Sequence, residues 1–412
     1  VSGCRGPRPP LTVLLVYGAA ATATALSLGW TLWHGLSEPG TALAFGVLIA
    51  VGVLARRGGP PREREPAPLA AAGALAYALL GVPAGTPACG VAQVVTVTAA
   101  GVLVGAVPDV ARGRGPEPDR TARRALTVTF AAVCAGPLHA EPPSPRYVPL
   151  LLLVLALTAL CDAVLAALLL RARTGYPYGP LLRDELRALP GVASAVCATG
   201  AVMALAVAVA GLWTLPVLCV PLLLTQLAFR RYAAVRRTYR QTIASLARAT
   251  EIAGYTPPGH AHRVAALSRA VGREMGLCRE DLTVLEYAAL MHDIGQLSLV
   301  DPVPDGATAL LPAAEQRRIA LLGGAVVRQT GVPPAVAVVV ERQADPYREQ
   351  PLAARIVRAV NAYDDLSGEC AHRALAALEH LRLGTARDYH PAVVESLVRV
   401  LARGGVEGRV PG

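Results

Sequence analysis

The sequence predicts an all-α protein in two parts. A polytopic helical membrane domain takes residues 1–229, a connecting helix takes 230–255, and a cytoplasmic all-helical bundle takes 256–412. Three observations carry that prediction. The chain of 412 residues is 53% hydrophobic with a mean hydropathy of +0.44, too apolar for an ordinary soluble protein. The apolar residues are concentrated before Arg230. Beyond it they recur at helical spacing between breaks at Pro302, Pro304, Pro312, Pro333, Pro334, Pro346, Pro351 and Pro391, and no run alternates as a strand would.

The first span, residues 11–33, follows a basic tail carrying Arg5 and Arg8. It is long enough to cross a hydrocarbon core of about 30 Å at roughly 1.5 Å per residue. Further apolar runs lie at 41–55, 67–82, 89–107, 125–138, 148–170, 192–211 and 213–229. The runs at 41–55, 67–82 and 125–138 are short, so six to eight crossing helices are expected. Basic loops at 56–66, 108–124 and 171–190, with the N-terminal tail and 230–240, alternate with loops nearly free of arginine, Arg146 excepted. By the positive-inside rule this implies a multi-pass protein of the cell membrane with both termini in the cytoplasm. More apolar runs follow the first directly, so no cleavable signal peptide is expected.

Within the run 148–170 stands Asp162. An ionisable group inside a span is costly and marks a functional site by default. The favoured alternative is a carboxylate, or its neutral acid, hydrogen-bonded to a neighbouring helix with Gln93 or Gln226 as partner. Gly, Ala and Thr fill these runs and suit close helix packing. The formal charge is +10 and every basic residue is arginine. A basic surplus can mark a nucleic-acid surface, but these arginines sit mostly in loops between apolar runs. The expected partner is therefore the lipid bilayer and not nucleic acid. None of the eight cysteines falls in a CxxC, which reads as small packing residues and not as a zinc or disulfide framework.

The connecting helix places Val235, Tyr239, Thr242, Leu246, Ala249 and Ala253 in steps of four and three, the spacing of a coiled-coil seam. Such a helix either forms a homodimer that passes a signal from spans to bundle, or is a passive spacer lying on acidic headgroups.

The chemistry is concentrated in residues 286–297, EYAALMHDIGQL. An imidazole and a carboxylate on adjacent residues, His292 and Asp293, can converge on one divalent metal if further ligands arrive from elsewhere. Upstream, at the start of another helical pattern, lies GHAHRV at 259–264. His262 lies roughly across the helix from His260 and reads as a surface residue. These motifs resemble the HD superfamily of metal-dependent phosphohydrolases, and more closely its HD-GYP branch, whose active members hydrolyse cyclic di-GMP. The resemblance covers roughly residues 244–401 and implies an all-helical bundle. It matches His260 to the family's first metal-ligand histidine, and His292 and Asp293 to its ligand pair. In that chemistry a metal acidifies a bound water and the resulting hydroxide attacks phosphorus, with Asp293 holding the metal and able to bridge to a second.

The sequence departs from the family pattern at several places. Gln296, in HDIGQ, replaces a lysine that would face substrate phosphate as part of the catalytic set. Gly323 or Gly324 occupies the place of a further histidine, and Val339-Val340-Glu341 that of the family's HHE. ADPYREQP replaces the GYP signature. The last ligand aspartate aligns with Asn361 in RIVRAVNAYDDL, and Asp364 and Asp365 lie one turn on, where either can substitute for it. The eight histidines are His34, His139, His260, His262, His292, His372, His380 and His390, so none falls between Asp293 and His372. At most one divalent ion (iron, manganese or zinc) is expected, on His260, His292 and Asp293 with Asn361 or Asp364 as a poor fourth donor. A neutral amide in place of a carboxylate weakens such a site. Two functional classes stay open. The departures put first a degenerate signalling module that binds a nucleotide of the cyclic di-GMP type or a protein partner. The alternative is a one-metal phosphohydrolase or phosphodiesterase acting on a nucleotide or cyclic dinucleotide.

Overall fold

A computed structural model of the chain describes residues 10–55, 68–80, 90–113, 117–136, 138, 146–301, 303, 306–368 and 371–403. Among these residues the structure is all-α, and extended backbone pairs only in one isolated bridge between Thr385 and Tyr389. The chain divides into two compact units, Val1–Val235 and Arg236–Gly412.

The first unit holds α1 (Leu11–His34), α2 (Pro39–Leu54), α3 (Pro68–Leu79), α4 (Val91–Val110), α5 (Pro118–Cys134), α6 (Tyr147–Thr174), α7 (Tyr178–Ala188) and α8 (Ser194–Ala210). The helix α9 (Thr214–Ile252) begins in this unit and continues into the second. Among the described residues four helices, α1, α4, α6 and α9, are long and apolar enough to cross a membrane, or five if the bent pair α7–α8 counts as one span. The apolar runs at 41–55, 67–82 and 125–138 become α2, α3 and α5, of 16, 12 and 17 residues. At about 1.5 Å per residue each falls short of a 30 Å core. Leu32, Trp33, Val209 and Trp213 are exposed, an outer surface suited to lipid and not to water.

Two stretches read as basic loops are helical. The helix α5 begins at Pro118, so Arg120, Arg123 and Arg124 lie within it. Residues 171–190 include all of α7, which packs on α6 and bends into α8 through a π-turn at Leu189–Ala193. A proline at 190 and non-helical torsions at Gly191 account for the bend.

Asp162 is not bound to Gln93 or Gln226. Its Oδ1 lies 3.0 Å from Arg123 Nε and accepts a hydrogen bond from Thr127 Oγ1 at 3.3 Å. Gln93 instead donates to Tyr77 Oη, and Gln226 to the Gly52 carbonyl. Arg123 was assigned to a loop in the sequence, and only the earlier start of α5 brings it to α6. The pairing supplies the cation that a carboxylate in an apolar unit needs.

The second unit is a bundle of α10 (His260–Glu274), α11 (Arg279–Met291), α12 (Ala313–Arg328), α13 (Pro334–Arg342), α14 (Leu352–Ser367), α15 (Ala371–Leu383) and α16 (Pro391–Ala402). Prolines that break the sequence pattern start its helices. Pro334 and Pro391 stand at first helical positions, and Pro312, Pro333 and Pro351 immediately precede helices, where a missing N–H costs nothing. The helix α14 packs against α10, α11, α13, α15 and α16. Its apolar face, with Ile356 and Val360, joins Leu285, Met291 and Leu397 in the core. Each such buried side chain contributes about 1.5–3 kcal/mol.

The end of α9 packs on this core through Tyr239, Ile243, Leu246 and Ala247, with Thr250 also buried. Val235, Thr242 and Ala253, expected in an intermolecular seam, are exposed. The face centred on Ile243 and Ala247 is one residue out of register with that seam, so half of the expected stripe is used within the unit.

Candidate metal centre

Three places in the bundle supply the centre. His260 is the first residue of α10, and Gly259 before it has φ +73°, a left-handed turn that favours glycine. His292 follows the last residue of α11, and Asp293 leads into a 3₁₀ turn at Ile294–Ser298. Gly295 in that turn lies against α12, where a Cβ would come 2.1 Å from the Ile319 carbonyl oxygen. No larger residue holds the pair at this depth. Asn361 comes from the middle of α14.

These residues converge while almost wholly buried. His260 Nδ1 contacts Asp364 Oδ2 at 2.8 Å and His292 Nδ1 contacts the Ala289 carbonyl at 2.8 Å. Both contacts fix the ring tautomer with Nδ1 as donor, so both Nε2 lone pairs face inward. The two Nε2 atoms are 3.3 Å apart, and Asp293 Oδ2 lies 3.3 Å and 3.1 Å from them. Asn361 Oδ1 is 2.9 Å from His292 Nε2. Donors bound to one ion at about 2.1 Å stand about 3.0–3.4 Å apart, octahedral to tetrahedral. Asp293 Oδ2 is buried without a hydrogen bond. Two lone pairs and an unmatched carboxylate oxygen aimed at one point are the donor set of a cation. His260, His292 and Asp293 can hold a metal ion.

The electrostatics agree with that reading. Burial opposes charge on His260, but the Asp293 and Asp364 carboxylates beside it raise its pKa to about 10. His292 is also raised against its burial, by the Asp293 carboxylate beside it. Burial works against the Asp293 anion, yet both imidazoles hold its carboxyl well below the usual range. Without a metal, protons supply the cation.

The structure separates the remaining expected residues. Asp364 is not aimed at the metal position. It sits behind His260 on the Nδ1 side, where Arg263 clamps it through Nε and Nη2 at 3.0–3.3 Å. Its role is to orient His260. Asp365 lies at the edge of the inner face, with Oδ1 3.9 Å from His260 Nε2, and burial pushes its pKa up to about 7. Gln296 is fully buried with neither amide atom hydrogen-bonded, so it meets no substrate in this arrangement. His262 and His380 are exposed and His390 is half-buried. His139 and the His372 side chain lie outside the described residues.

Sequence reasoning missed Thr308, whose hydroxyl accepts from Asn361 Nδ2 at 3.1 Å and lies 3.4 Å from Asp293 Oδ1. It arrives on a separate 3₁₀ turn, Thr308–Leu310, and no local pattern announces it. Arg263 was visible in GHAHRV, but its partner 101 residues away was not. Gln343 was also missed; its Nε2 donates to the His292 carbonyl at 2.8 Å.

The positions that the HD-GYP resemblance would assign to second-metal ligands are filled otherwise. Val339 and Val340 are buried in the hydrophobic core. A Cβ at Gly323 would press on Gly295 and Val340, and one at Gly324 would fall 1.9 Å from Glu341 Cγ. Glu341 pairs with Arg328. A small cavity of about 50 Å³ adjoins the centre, walled by Asp293, Thr308, Gln343, Arg358, Asn361 and Tyr389 among others.

Residues 259–366 match the family model of the HD domain. The match includes His260, His292, Asp293, Asn361 and Asp364. Comparison with curated proteins returned no match. HD domains bind divalent metals, in accord with the donor geometry.

Proposed function

We propose that the second unit is a one-metal phosphohydrolase domain acting on a nucleotide-type phosphate ester, carried by a multi-pass membrane domain that leaves it in the cytoplasm. One observation carries the reading: His260 Nε2, His292 Nε2 and Asp293 Oδ2 lie 3.1–3.3 Å apart with the carboxylate oxygen otherwise unmatched. A divalent ion held there supplies Lewis acidity and an acidified water. The chain's own residues do the rest. Asp364 and the Ala289 carbonyl hold both imidazoles in the ligating tautomer, and Gln343 braces the backbone of His292. Thr308 and Asn361 form a hydrogen-bonded wall beside Asp293. Burial of all three ligands keeps bulk water from competing.

A second reading, a domain that binds a nucleotide or partner without turnover, is favoured by Asn361. Its amide offers a weaker, uncharged donor where a carboxylate would bind an ion more tightly. The experiment is metal content of the purified full-length protein beside His292→Ala, followed by a hydrolysis screen of nucleotides and cyclic dinucleotides. Near-stoichiometric iron, manganese or zinc, lost in the variant, with turnover of one substrate, is the expected result. Metal without turnover selects the binding reading. No metal after reconstitution would sink the enzyme.

A further inference from the structure

The cavity beside the centre contains a cation that the metal chemistry does not use. Arg358 stands on α14 three residues before Asn361 and four before Ala362, and all three line the cavity, as i, i+3 and i+4 positions on one helix face must. One end of its guanidinium is anchored: Nη1 donates to the carbonyls of Gln343 and Asp345, each at 3.3 Å. Among the described residues Nε and Nη2 have no hydrogen-bond partner. A half-anchored guanidinium lining a cavity that Asp293 and Asn361 also line is a fork for an oxyanion. Gln296, at the position expected to bring a cation, is sealed in the core.

Resting on the metal-centre reading, we infer that Arg358 grips substrate phosphate and that the cavity admits the terminal phosphoryl group of a phosphomonoester. Size supports the class. About 50 Å³ has room for roughly a few waters or one tetrahedral oxyanion. It is far below the roughly 300 Å³ or more that encloses a drug-sized ligand. A terminal phosphoryl group enters end-on with the rest of the molecule outside, whereas a cyclic dinucleotide has no such end. The Asp293 carboxylate in the wall repels an anion until a divalent ion offsets it, so phosphate affinity rises with the metal bound.

The test is calorimetric titration of the full-length protein in detergent micelles with inorganic phosphate, with and without Mn²⁺, for the wild type, R358Q and R358K. Phosphate is expected to bind the Mn²⁺-loaded wild type. In R358Q binding weakens about tenfold or more, the scale of a lost charge-assisted hydrogen bond, while Mn²⁺ binding is unchanged; R358K falls between. A nucleoside monophosphate competes with phosphate and a cyclic dinucleotide does not. Phosphate that fails to bind the wild type, or binds R358Q equally well, overturns the inference. So does a cyclic dinucleotide that displaces phosphate. If the wild type takes up no Mn²⁺, the metal reading fails separately, and phosphate binding without Mn²⁺ still decides Arg358. If R358Q loses Mn²⁺ as well, R358K decides: weakened phosphate with Mn²⁺ retained supports the role, and unchanged phosphate overturns it.

Discussion

Two sides of the bundle treat the same depth in opposite ways. On the side built by α10, α11 and α14, buried positions hold His260, His292, Asp293 and Asn361, each positioned by another polar group. On the side built by α12 and α13, equally buried positions hold Gly323, Gly324, Val339 and Val340. Burying a polar group is tolerable only when its partners are already in place. The first side has those partners. The second is packed apolar, and the Glu341 carboxylate beside it is turned to Arg328. A fold can thus hold a buried polar cluster on one side and hydrocarbon at the same depth on the other, because each side stands on its own supports.

The two sides would differ only in packing if the polar one needed no metal. Asp293→Ala is expected to lower metal affinity by more than about 100-fold, since losing a ligand costs more than losing its support; elemental analysis after dialysis checks it. Asp364→Asn should cost about 10–100-fold in metal affinity while leaving one site per chain, because it disturbs only the orientation of His260. Asn361→Asp should raise affinity by about tenfold through a charged donor. A fall would show that the amide is matched to Thr308 and not to the ion.

Val340→His tests the apolar side. It should destabilise the protein by about 1–3 kcal/mol in thermal unfolding, with the metal ratio still at one. A gain to two ions would erase the contrast. A further effect is with pH. His260 titrates at about 10 in the metal-free fold against 6.5 ordinarily, so an ion must displace a proton and affinity falls as pH drops. By linkage, the stability given by protonated His260 is full below about pH 6.5 and is lost as pH rises through about 10. Metal-free protein should therefore melt progressively earlier across that window, and loaded protein should not follow.

The all-α architecture was legible because helical periodicity and proline breaks are local signals, and Pro312, Pro333, Pro334, Pro351 and Pro391 do stand at helix starts. The candidate donors were legible because adjacency in His292-Asp293 and the helix-opening place of His260 are also local. What escaped depended on distance. Asp364 looked equivalent to Asp365 in sequence, since both lie one turn beyond Asn361; only the approach of α10 to α14 puts one behind His260 and the other beside its inner face. Arg123 escaped as the partner of Asp162 because it was read as loop. Gln296 was read for what its residue type lacks, when its burial is what removes it from the site.

The space over Gly324 has a consequence for change over generations. A histidine there must first evict Glu341, whose Cγ lies where the new Cβ would go, and evicting Glu341 strands Arg328. A histidine at Val340 alone puts an unmet polar ring into packed hydrocarbon. Each single replacement therefore meets a packing or desolvation cost where it is made. A second ion on this side of the bundle thus calls for several coordinated replacements and not for one histidine.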